Sequence, residues 1–396
     1  MARGFILKLG HSLHPLNRPF WQASMLLIGA TAACGQAATN GAGTSPTPFV
    51  VHEVAKFSSP WAMAFLTGSG RPLLDAALLT EKEGKLWLVD TRTGAKTAVS
   101  GVPAVYVAGQ GGLGDVAVHP DFVVNRRVYL SFVEAGPNGT SGAALGYGTL
   151  DLTDGAHPAL TGFKIIWRQS PKIDGNGHFS HRIAFGPDRL LYLTSGERQK
   201  FTPAQDMNVN LGKVLRLTDE GAPAPGNPWA SRGGIAATFW TVGHRNLLGL
   251  SFAADGRLWG SEMGPMGGDE INLIVAGRNY GWPKASNGSN YDGSDIPDHR
   301  AGDGFEPPKL WWNPSISPGG MMIYTGDKFP QWKGDALVAA LSGQALIRVD
   351  IDGDKAVKAE QWDMDERIRA VDQGPDGSVF LLEDEGRLLR LDPIRR

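Results

Sequence analysis

Short apolar segments alternate with turn residues along almost the whole chain, and one unit recurs. The unit is an apolar strand, a Pro-Asp or Ala-Asp turn, a second short apolar strand and then a charged turn. Its clear copies surround the turn residues Asp121, Asp188, Asp255 and Asp376. Neighbouring turns lie 67, 67 and 121 residues apart. Because the last interval is twice a spacing of about 60 residues, a further copy is predicted between Asp255 and Asp376.

Two weaker copies complete the array. One lies at residues 320–324 and 336–340, and the other opens the array at residues 62–65 and 86–89. Six units of short strands, with a period of roughly 40–70 residues, are typical of a propeller. The chain is therefore predicted to form an all-β, six-bladed β-propeller over residues 49–396, with Phe49-Val50-Val51 adding a strand to the last blade. A two-domain β-sandwich fits the regular spacing poorly.

Composition supports the all-β prediction and excludes some partners. The 53 Gly and 26 Pro favour many short strands joined by turns over long helices. The net charge of −2 mixes both signs without a basic block, so neither nucleic acid nor an anionic membrane surface is an expected partner. A single cysteine can form no internal disulfide, so the fold must depend on packing.

The N-terminal residues have the pattern of an export signal. Arg3, Lys8 and Arg18 precede an apolar run at residues 21–33 that is too short to span a bilayer. A signal peptide or lipoprotein signal is predicted over residues 1–36. The small, polar and Pro-containing residues 37–48 are predicted to form a flexible tether. The expected location is the periplasm.

The only cysteine, Cys34, follows Thr31-Ala32-Ala33, which resembles a bacterial lipoprotein processing site. Two outcomes stay open. Cys34 is lipidated and anchors the protein to the outer membrane, or ordinary cleavage occurs near Ala33 or Ala38.

Two familiar motifs are rejected by their context. Residues 109–114 match the dinucleotide pattern G-x-G-x-x-G, but a strand follows them instead of the helix N-terminus that would receive a pyrophosphate. Asp350, Asp352 and Asp354 alternate as in a calcium-binding EF-hand loop, but Gln361 stands where the twelfth-position glutamate is needed, so a hairpin turn is predicted.

Polar loops around the fourth unit are candidates for ligand binding, because propellers place ligands on their axis. Gly243-His244-Arg245-Asn246 precedes an apolar strand, and residues 261–270 follow the next one. Residues 277–283 then combine glycine, charge and aromatic side chains. This density exceeds what a solvated turn needs.

With these segments the sequence resembles the glucose/sorbosone dehydrogenase family, the soluble PQQ-dependent aldose sugar dehydrogenases. The likeness runs from Pro60-Trp61 to Leu391 and includes residues 109–113, 119–122, 211–217, 243–246, 267–283, 329–332 and 367–369. The family implies a six-bladed propeller, in agreement with the repeat count.

The resemblance implies a site for PQQ, a flat tricarboxylate quinone. Gln110, Arg245, Asn246, Arg367 and Arg369 match positions that hold it. Guanidinium groups suit this role because they pair with carboxylates through two parallel hydrogen bonds. The resemblance also implies that Tyr291 and the run Ala340-Leu341-Ser342 lie beside the cofactor. Some members carry a lysine where this chain has Ser342, so one cationic contact is expected to be lost.

The resemblance also implies Ca²⁺. The backbone oxygens of Gly264 and Pro265 match those that present the ion to the quinone, where it acts as a Lewis acid. Glu270 and the carbonyl of Tyr280 match a further calcium site. From the residues alone, a structural turn at Gly264-Pro265 and surface ion pairs at Arg367 and Arg369 are the favoured interpretations.

His178 matches the family's general base, which takes the proton of the anomeric hydroxyl. After Phe179 the family usually has two glycines, whereas this chain has Ser180 and His181. Three roles for His181 stay open: it crowds the pocket, acts as an alternative base, or points into a blade interface.

The leading hypothesis is an exported quinoprotein that oxidises aldose sugars to lactones and passes electrons to a periplasmic acceptor. The alternatives are a calcium-dependent, lactonase-like propeller hydrolase and a non-catalytic sugar- or partner-binding propeller. The Arg367 and Arg369 pair argues against the lactonase, because a neutral lactone needs no clamp for carboxylates.

Overall fold

The computed structural model describes residues 36–38, 46–68 and 71–394. The strands in chain order are β1 Gln36–Ala38, β2 Phe49–Lys56, β3 Pro60–Gly68, β4 Arg71–Glu81, β5 Lys85–Asp90, β6 Lys96–Val99, β7 Leu113–Val118, β8 Arg127–Ala135, β9 Ser141–Asp151, β10 Ala159–Arg168, β11 Ser180–Phe185, β12 Leu191–Ser195, β13 Lys213–Leu217, β14 Phe239–Val242, β15 Leu247–Phe252, β16 Leu258–Glu262, β17 Met266–Gly267, β18 Asp269–Leu273, β19 Gly288–Ser289, β20 Leu310–Trp312, β21 Pro318–Ile323, β22 Ala336–Ala340, β23 Ala345–Asp352, β24 Lys355–Asp363, β25 Ile368–Gln373, β26 Val379–Glu383 and β27 Arg387–Pro393. One short helix, α1 Phe122–Asn125, and 3₁₀ turns at Pro137–Gly139, Thr202–Gln205, Ala230–Arg232, Gly234–Thr238 and Pro330–Trp332 complete the described elements.

These strands form a six-bladed β-propeller, as the repeats predict. Blade 1 is β3-β4-β5-β6, blade 2 is β7 to β10, blade 3 is β11 to β14, blade 4 is β15-β16-β18-β20 with β1 parallel at its edge, blade 5 is β21 to β24, and blade 6 is β25-β26-β27-β2. Blade 6 combines both ends of the described propeller, because β2 pairs antiparallel with β27 from Phe49 opposite Pro393 to Lys56 opposite Arg387. The prediction that residues 49–51 close the ring is confirmed.

The turn aspartate recurs because its side chain stabilises the turn between two strands. In three copies its carboxylate accepts a hydrogen bond from the backbone N–H two residues later: Asp188 from Leu190 at 3.1 Å, Asp255 from Arg257 at 3.0 Å and Asp376 from Ser378 at 3.0 Å. Such Asx turns reverse the chain between the first two strands of a blade. The fourth copy differs, since Asp121 precedes α1.

Blade 1 differs in one respect from the sequence pattern. The apolar segments at residues 62–65 and 86–89 belong to β3 and β5, the first and third strands of the blade, and β4 lies between them. Met63 pairs with Leu79, and Leu79 pairs in turn with Trp87.

Parts of the predicted tether contact the propeller. β1 pairs with β20, the carbonyl oxygen of Pro46 accepts a hydrogen bond from Trp362 Nε1 at 3.3 Å, and that of Pro48 accepts one from the Ile394 N–H at 3.2 Å. The predicted signal residues up to residue 35, including Cys34, and tether residues 39–45 lie outside the described residues. Within the described ranges, no helix is long and apolar enough to cross a membrane.

The hydrophobic core is divided among the interfaces between neighbouring blades. Leu86 and Leu130 belong to one buried cluster between blades 1 and 2, for example, and Leu79 and Leu382 belong to another between blades 6 and 1. Because each sheet buries both faces in this way, its middle strands are continuous runs of buried residues, such as β22 and β26.

Arg182 in β11 joins the blades at the axis. Its Nε donates to the carbonyl of Leu248 in β15 at 2.6 Å and its Nη2 to that of Gly319 in β21 at 2.8 Å, while Nη1 pairs with Asp115 in β7 at 3.1 Å. The guanidinium also lies 4.1 Å from the ring centroid of Trp61 in β3.

Blade 6 contributes a second carboxyl to this axial cluster. The pKa of Asp372 in β25 is raised to about 8. Burial is the main cause, and the charge of Asp115 adds to it, whereas Arg182 acts in the opposite direction. Arg182 therefore connects its own strand, by contact or by charge, with the other five innermost strands.

We expect Arg182→Met to lower the free energy of unfolding by about 3–5 kcal/mol, because it leaves the buried Asp115 carboxylate without its cation. Denaturant unfolding of the purified protein measures the change. The matched control is Arg257→Met, which removes an arginine paired with Asp255 at the surface and is expected to cost less than about 1 kcal/mol. Equal effects of the two substitutions would contradict the axial role.

Candidate active site

The axial channel contains two cavities. One, of about 250 Å³, lies where the loops before β7, β11, β15 and β25 converge. Its lining consists of Trp61, Lys82, Gly109, Gln110, Phe179, Ser180, His181, Asn246, Leu248, Met263, Leu341, Arg367 and Arg369. The other, of about 450 Å³, is lined by residues of all six innermost strands, including Asp115, Arg182 and Asp372. The smaller cavity gathers most of the predicted cofactor-binding residues and is called the axial pocket below.

The axial pocket carries excess positive charge. Arg367 Nε and Arg369 Nε both donate to the carboxylate of Asp384, at 2.8 and 2.7 Å. Burial acts to raise the pKa of Asp384, but the two arginines hold it below its usual value. Two guanidinium groups thus share one carboxylate, and Lys82 adds a third cation to the lining. Such a pocket suits a ligand that carries carboxylates.

His178 lies beside the axial pocket, immediately before β11. It is buried, its backbone N–H donates to Gln110 Oε1 at 2.7 Å, and its ring Nδ1 is hydrogen-bonded to Glu197 Oε1. With Nδ1–H donated to the carboxylate, Nε2 carries the free lone pair. Burial lowers the pKa of His178, and Arg245 and Arg198 lower it further, against the opposing effect of Glu197. The imidazole is therefore neutral at neutral pH and able to accept a proton.

Glu197 also organises the loop that follows it. Its Oε1 accepts the backbone N–H of Gln199 at 2.9 Å, and its Oε2 accepts that of Phe201 at 2.6 Å. Arg198, Gln199 and Phe201 all have positive φ angles, which side chains other than glycine rarely adopt. Strained backbone of this kind persists where surrounding contacts fix it, and it is concentrated at functional sites. The same carboxylate therefore fixes both the imidazole and the neighbouring loop.

Arg198 secures the chain on the other side of His178. It is fully buried, and its guanidinium donates to the carbonyls of Gly177 at 3.0 Å and Ser141 at 2.7 Å and also to that of Gly175. Gly196 permits this packing, because a Cβ there would overlap the carbonyl of His178.

Ser180 orients a predicted cofactor contact. Its Oγ donates to Asn246 Oδ1 at 3.0 Å, and the Asn246 Nδ2 group points to Met263 Sδ at 3.7 Å. Ser180 therefore takes part in the hydrogen-bond network of the axial pocket.

His181 packs between blades while one face of its ring borders the axial pocket. The ring stacks on Trp61 with centroids 5.1 Å apart, and Nδ1 lies 2.8 Å from Ser131 Oγ, which itself accepts the Asp115 N–H. Gly114 provides the space, since a Cβ at residue 114 would overlap the His181 ring. Burial, followed by the charge of Arg182, lowers the pKa of His181 to about 3. Of the three roles left open, this geometry fits the blade interface, and so low a pKa makes the ring a poor general base.

Arg245 lines a small cavity that shares Met263 with the axial pocket, but it is not part of the axial-pocket lining. Its Nη1 donates to the carbonyl of Met263 at 3.1 Å and its Nη2 to the hydroxyl of Tyr291 at 3.1 Å, and the guanidinium lies 5.3 Å from the centroid of Trp282. Its Nε is buried and has no hydrogen-bond partner among the described residues. A buried, unpartnered donor on a cation is the feature expected of a site that receives an anionic ligand.

The small cavity beside Arg245 has the size and charge of a metal-ion site. It encloses about 10 Å³ and is lined by Glu262, Gly264, Glu270 and Tyr280, among others. The buried Glu270 carboxylate accepts one hydrogen bond, from Asn272 Nδ2 at 2.9 Å. Burial raises the pKa of Glu270 well above its usual value, and the charge of Glu262 raises it further. A cation bound there would compensate two neighbouring buried carboxylates.

Hydrogen bonds to the Asp269 carboxylate fix the turn at Gly264 and Pro265. Asp269 accepts the Gly264 N–H at 2.8 Å through one oxygen and the N–H groups of Ile316 and Ser317 at 2.7 Å through the other. In the described ranges, no group donates to the carbonyl oxygens of Gly264 or Pro265. No three His, Cys, Asp or Glu side chains of those ranges converge on one point, so a metal here needs backbone oxygens.

Besides Arg245, three of the predicted contacts do not line the axial pocket. The Ala340 side chain is buried in the core between blades 4 and 5. Ser342 is exposed, and its hydroxyl donates to Ser317 Oγ at 2.8 Å. Tyr291 is 72% exposed and reaches the site through Arg245. Leu341, between Ala340 and Ser342, does line the pocket.

The sequence patterns do not single out Lys82 or Glu197, and they include Glu262 only as one member of the candidate segment 261–270. Glu197 and Glu262 have a common signal, because they end or directly follow the second strand of blades 3 and 4. Lys82 lies in the β4–β5 turn, where a charged residue is ordinary.

Comparison with known proteins gives concordant results. The family model for glucose/sorbosone dehydrogenase matches residues 57–390. The aldose sugar dehydrogenase YliI of Escherichia coli K12 is 39% identical over 347 residues, covering 85% of this chain and 91% of that protein.

Solved structures with this fold include two aldose sugar dehydrogenases. The soluble E. coli enzyme in its apo form superposes with a TM-score of 0.81 at 38% identity, covering 87% of this chain and 100% of that one. The PQQ-bound form of the Streptomyces coelicolor enzyme has a TM-score of 0.70 at 30% identity, covering 88% and 99%.

We expect Gly114→Ala to lower the free energy of unfolding by about 1–3 kcal/mol, because the added methyl group overlaps the His181 ring. Combining it with His181→Ala is expected to recover part of the loss. Denaturant unfolding of the two single variants and the double variant measures the coupling. Strict additivity would show that His181 does not occupy the space above Gly114.

Replacing Glu270 by Gln is expected to have opposite effects with and without calcium. In a chelator it removes a repelled, buried carboxylate and raises the melting temperature by about 2–4 °C, the shift for about 1 kcal/mol. Ca²⁺ at a hundredfold excess over its Kd is expected to stabilise the unsubstituted protein by about 2.7 kcal/mol, and the variant much less. Calorimetric melting with Ca²⁺ or EDTA tests both effects.

The pH dependence of stability reports on the buried Glu270 carboxyl in the metal-free protein, and the response to calcium then tests whether the site binds a metal. Because the folded-state pKa of Glu270 is raised, the metal-free protein loses stability as pH rises from the unfolded pKa of a glutamate through the folded value. Glu270→Gln is expected to remove that loss. Equal calcium stabilisation of both forms would contradict a metal site at Glu270.

Proposed function

Because the chain belongs to the glucose/sorbosone dehydrogenase family, we propose that it is an oxidoreductase that converts the C1 hydroxyl of aldose sugars to lactones with PQQ as electron acceptor. The observation that supports this most directly is the His178–Glu197 pair, a neutral buried base beside a pocket with excess positive charge. A base and an anion-binding pocket are what proton abstraction next to a carboxylated cofactor requires.

The residues present fit PQQ. Arg367 and Arg369 share one carboxylate, the Arg245 Nε is an unpartnered buried donor, and Asn246 lines the same pocket. These residues, with Gln110, would hold the carboxylates and ring oxygens of the quinone. Ala340 and Ser342 would contribute little through their side chains, because one is buried in the core and the other faces Ser317.

PQQ, when bound, supplies the two-electron acceptor for the hydride that leaves C1 of the sugar. His178 Nε2 takes the proton of the C1 hydroxyl, and Glu197 stabilises the imidazolium that forms. Gln110, which accepts the His178 N–H, links the base to the pocket. The sugar thereby loses a hydride and a proton and becomes the lactone.

Calcium fits the same site. The carbonyls of Gly264 and Pro265 would hold an ion that acts as Lewis acid on the quinone oxygen, and Glu270 with the Tyr280 carbonyl would hold a second ion. The repelled Glu270 carboxylate and the small cavity beside it support the second site.

We place the enzyme in the periplasm with a periplasmic electron acceptor, on the basis of the signal-like sequence over residues 1–36. Anchoring through a lipid on Cys34 belongs to the same proposal.

Reconstitution tests the activity. Purified protein with added PQQ and Ca²⁺ is expected to reduce an artificial dye when supplied with one or more aldoses. Failure with a panel of aldoses would overturn the proposal. Hydrolysis of a lactone without PQQ would instead favour the lactonase-like alternative.

We expect His178→Ala to lower kcat by a factor of about 10²–10⁴ while PQQ still binds. Dye-reduction kinetics and a PQQ titration measure the two effects. Retained turnover would show that His178 is not the base, whereas loss of PQQ binding would show a structural role.

The lowered pKa of His178 also sets the pH profile. Because the neutral imidazole is the active form, kcat/KM is expected to rise with pH through a pKa below 6.5 and to be level at neutral pH. An acid limb above pH 6.5 would contradict the neutral-base assignment.

A further inference from the structure

Lys82 is the one cation lining the axial pocket that no carboxylate of the described ranges neutralises. Arg367 and Arg369 are both paired with Asp384. The Lys82 Nζ donates to the backbone carbonyl of Gly109, which is neutral. The acidic residues on either side of it are engaged elsewhere. Glu81 accepts the Ser58 N–H and pairs with Lys85, and Glu83 accepts the Ser59 hydroxyl.

The backbone of Lys82 is fixed at the rim of the pocket. Its N–H donates to the carbonyl of Ser59 at 3.0 Å, and its own carbonyl accepts the Leu113 N–H at 2.9 Å. Gly112 packs against that carbonyl so closely that a Cβ would overlap it. The β4–β5 turn is thereby joined to the loop that carries Gln110, and the lysine stem starts from a defined position.

The ammonium group has capacity for a ligand. It has three N–H donors, and Gly109 takes one of them. The other two have no acceptor among the described residues, and Lys82 lines the same pocket as Gln110 and Arg367.

The other candidate position for a third cation is uncharged in this chain. Ser342 is exposed, its hydroxyl donates to Ser317, and it does not line the axial pocket. A cationic contact that replaces the lysine some other members carry at this position must therefore come from another part of the fold.

We propose that Lys82 binds a carboxylate of the quinone cofactor and supplies, from blade 1, the cationic contact that blade 5 lacks at Ser342. This inference rests on the proposed function, because it assumes that PQQ occupies the axial pocket. Lys82 is thus a cofactor-binding residue and takes no part in proton transfer.

The test is calorimetric titration of the metal-loaded, PQQ-free protein with PQQ. Lys82→Ala is expected to weaken binding about tenfold, the value of one charge-assisted hydrogen bond to a carboxylate. Because the lost contact is ionic, the dependence of the Kd on salt concentration is expected to become shallower in the variant.

Two further substitutions separate charge from structure. Lys82→Gln keeps a stem and a donor for the Gly109 carbonyl but has no charge, so it is expected to bind as weakly as Lys82→Ala. Lys82→Arg is expected to stay within about threefold of the unsubstituted protein, since it keeps the charge. A purely structural role would instead give normal binding in Lys82→Gln.

The matched control is Lys96→Ala in the same blade. The Lys96 Nζ also donates to a backbone carbonyl, that of Lys56, and no carboxylate of the described residues pairs with it, but it does not line the axial pocket. Its removal changes the net charge equally and is expected to leave the PQQ Kd unchanged.

The outcomes are distinguishable. If the unsubstituted protein does not bind PQQ, the proposed function fails and the inference fails with it. If it binds PQQ and Lys82→Ala binds equally well, only the inference fails. A carboxylate on the sugar substrate, instead of one on PQQ, could also be the group that Lys82 binds. If Lys82→Ala raises the KM for glucuronate but not for glucose, and leaves the PQQ Kd unchanged, Lys82 serves the substrate and the inference is wrong.

Discussion

The guanidinium of Arg182 is the constraint on which the ring depends. A buried charge is tolerated only when its donors are satisfied and an opposite charge lies close, and Arg182 meets both conditions only if several blades are in register. Its partners are backbone carbonyls in β15 and β21, a carboxylate in β7 and the face of Trp61 in β3. Moving one innermost strand along its neighbour would leave a donor unpaired. The same side chain lines the larger cavity.

The candidate site is built on this ring by loops that are individually strained. His178, Arg198, Gln199 and Phe201 all have positive φ angles, and buried charges fix them. Arg198 satisfies carbonyls on one side of His178, and Glu197 satisfies N–H groups on the other. One carboxylate therefore sets the tautomer of the base and the shape of the neighbouring loop. Removing the Glu197 carboxylate would therefore change the tautomer of His178 and the conformation of the neighbouring loop at the same time.

The fold could be predicted from the sequence because its signal is local. Asp188, Asp255 and Asp376 each bond to the N–H two residues ahead, so the turn is visible in any one copy of the repeat. The site was only partly predictable. Its cationic residues carry a family signature, but the position of His181 depends on Gly114, which is 67 residues away in sequence and in another blade. The role of Lys82 likewise depends on the acidic partners that its neighbours take, which no spacing reveals.

Blade 6 imposes an order on biosynthesis. Its three inner strands come from residues 368–393, and its outer strand comes from residues 49–56. The N-terminal strand β2 therefore has no pairing partner until the last strand of the propeller, β27, has been synthesised. A chain that ends before β27 lacks the strand with which β2 pairs, so blade 6 and the closure of the ring are both incomplete.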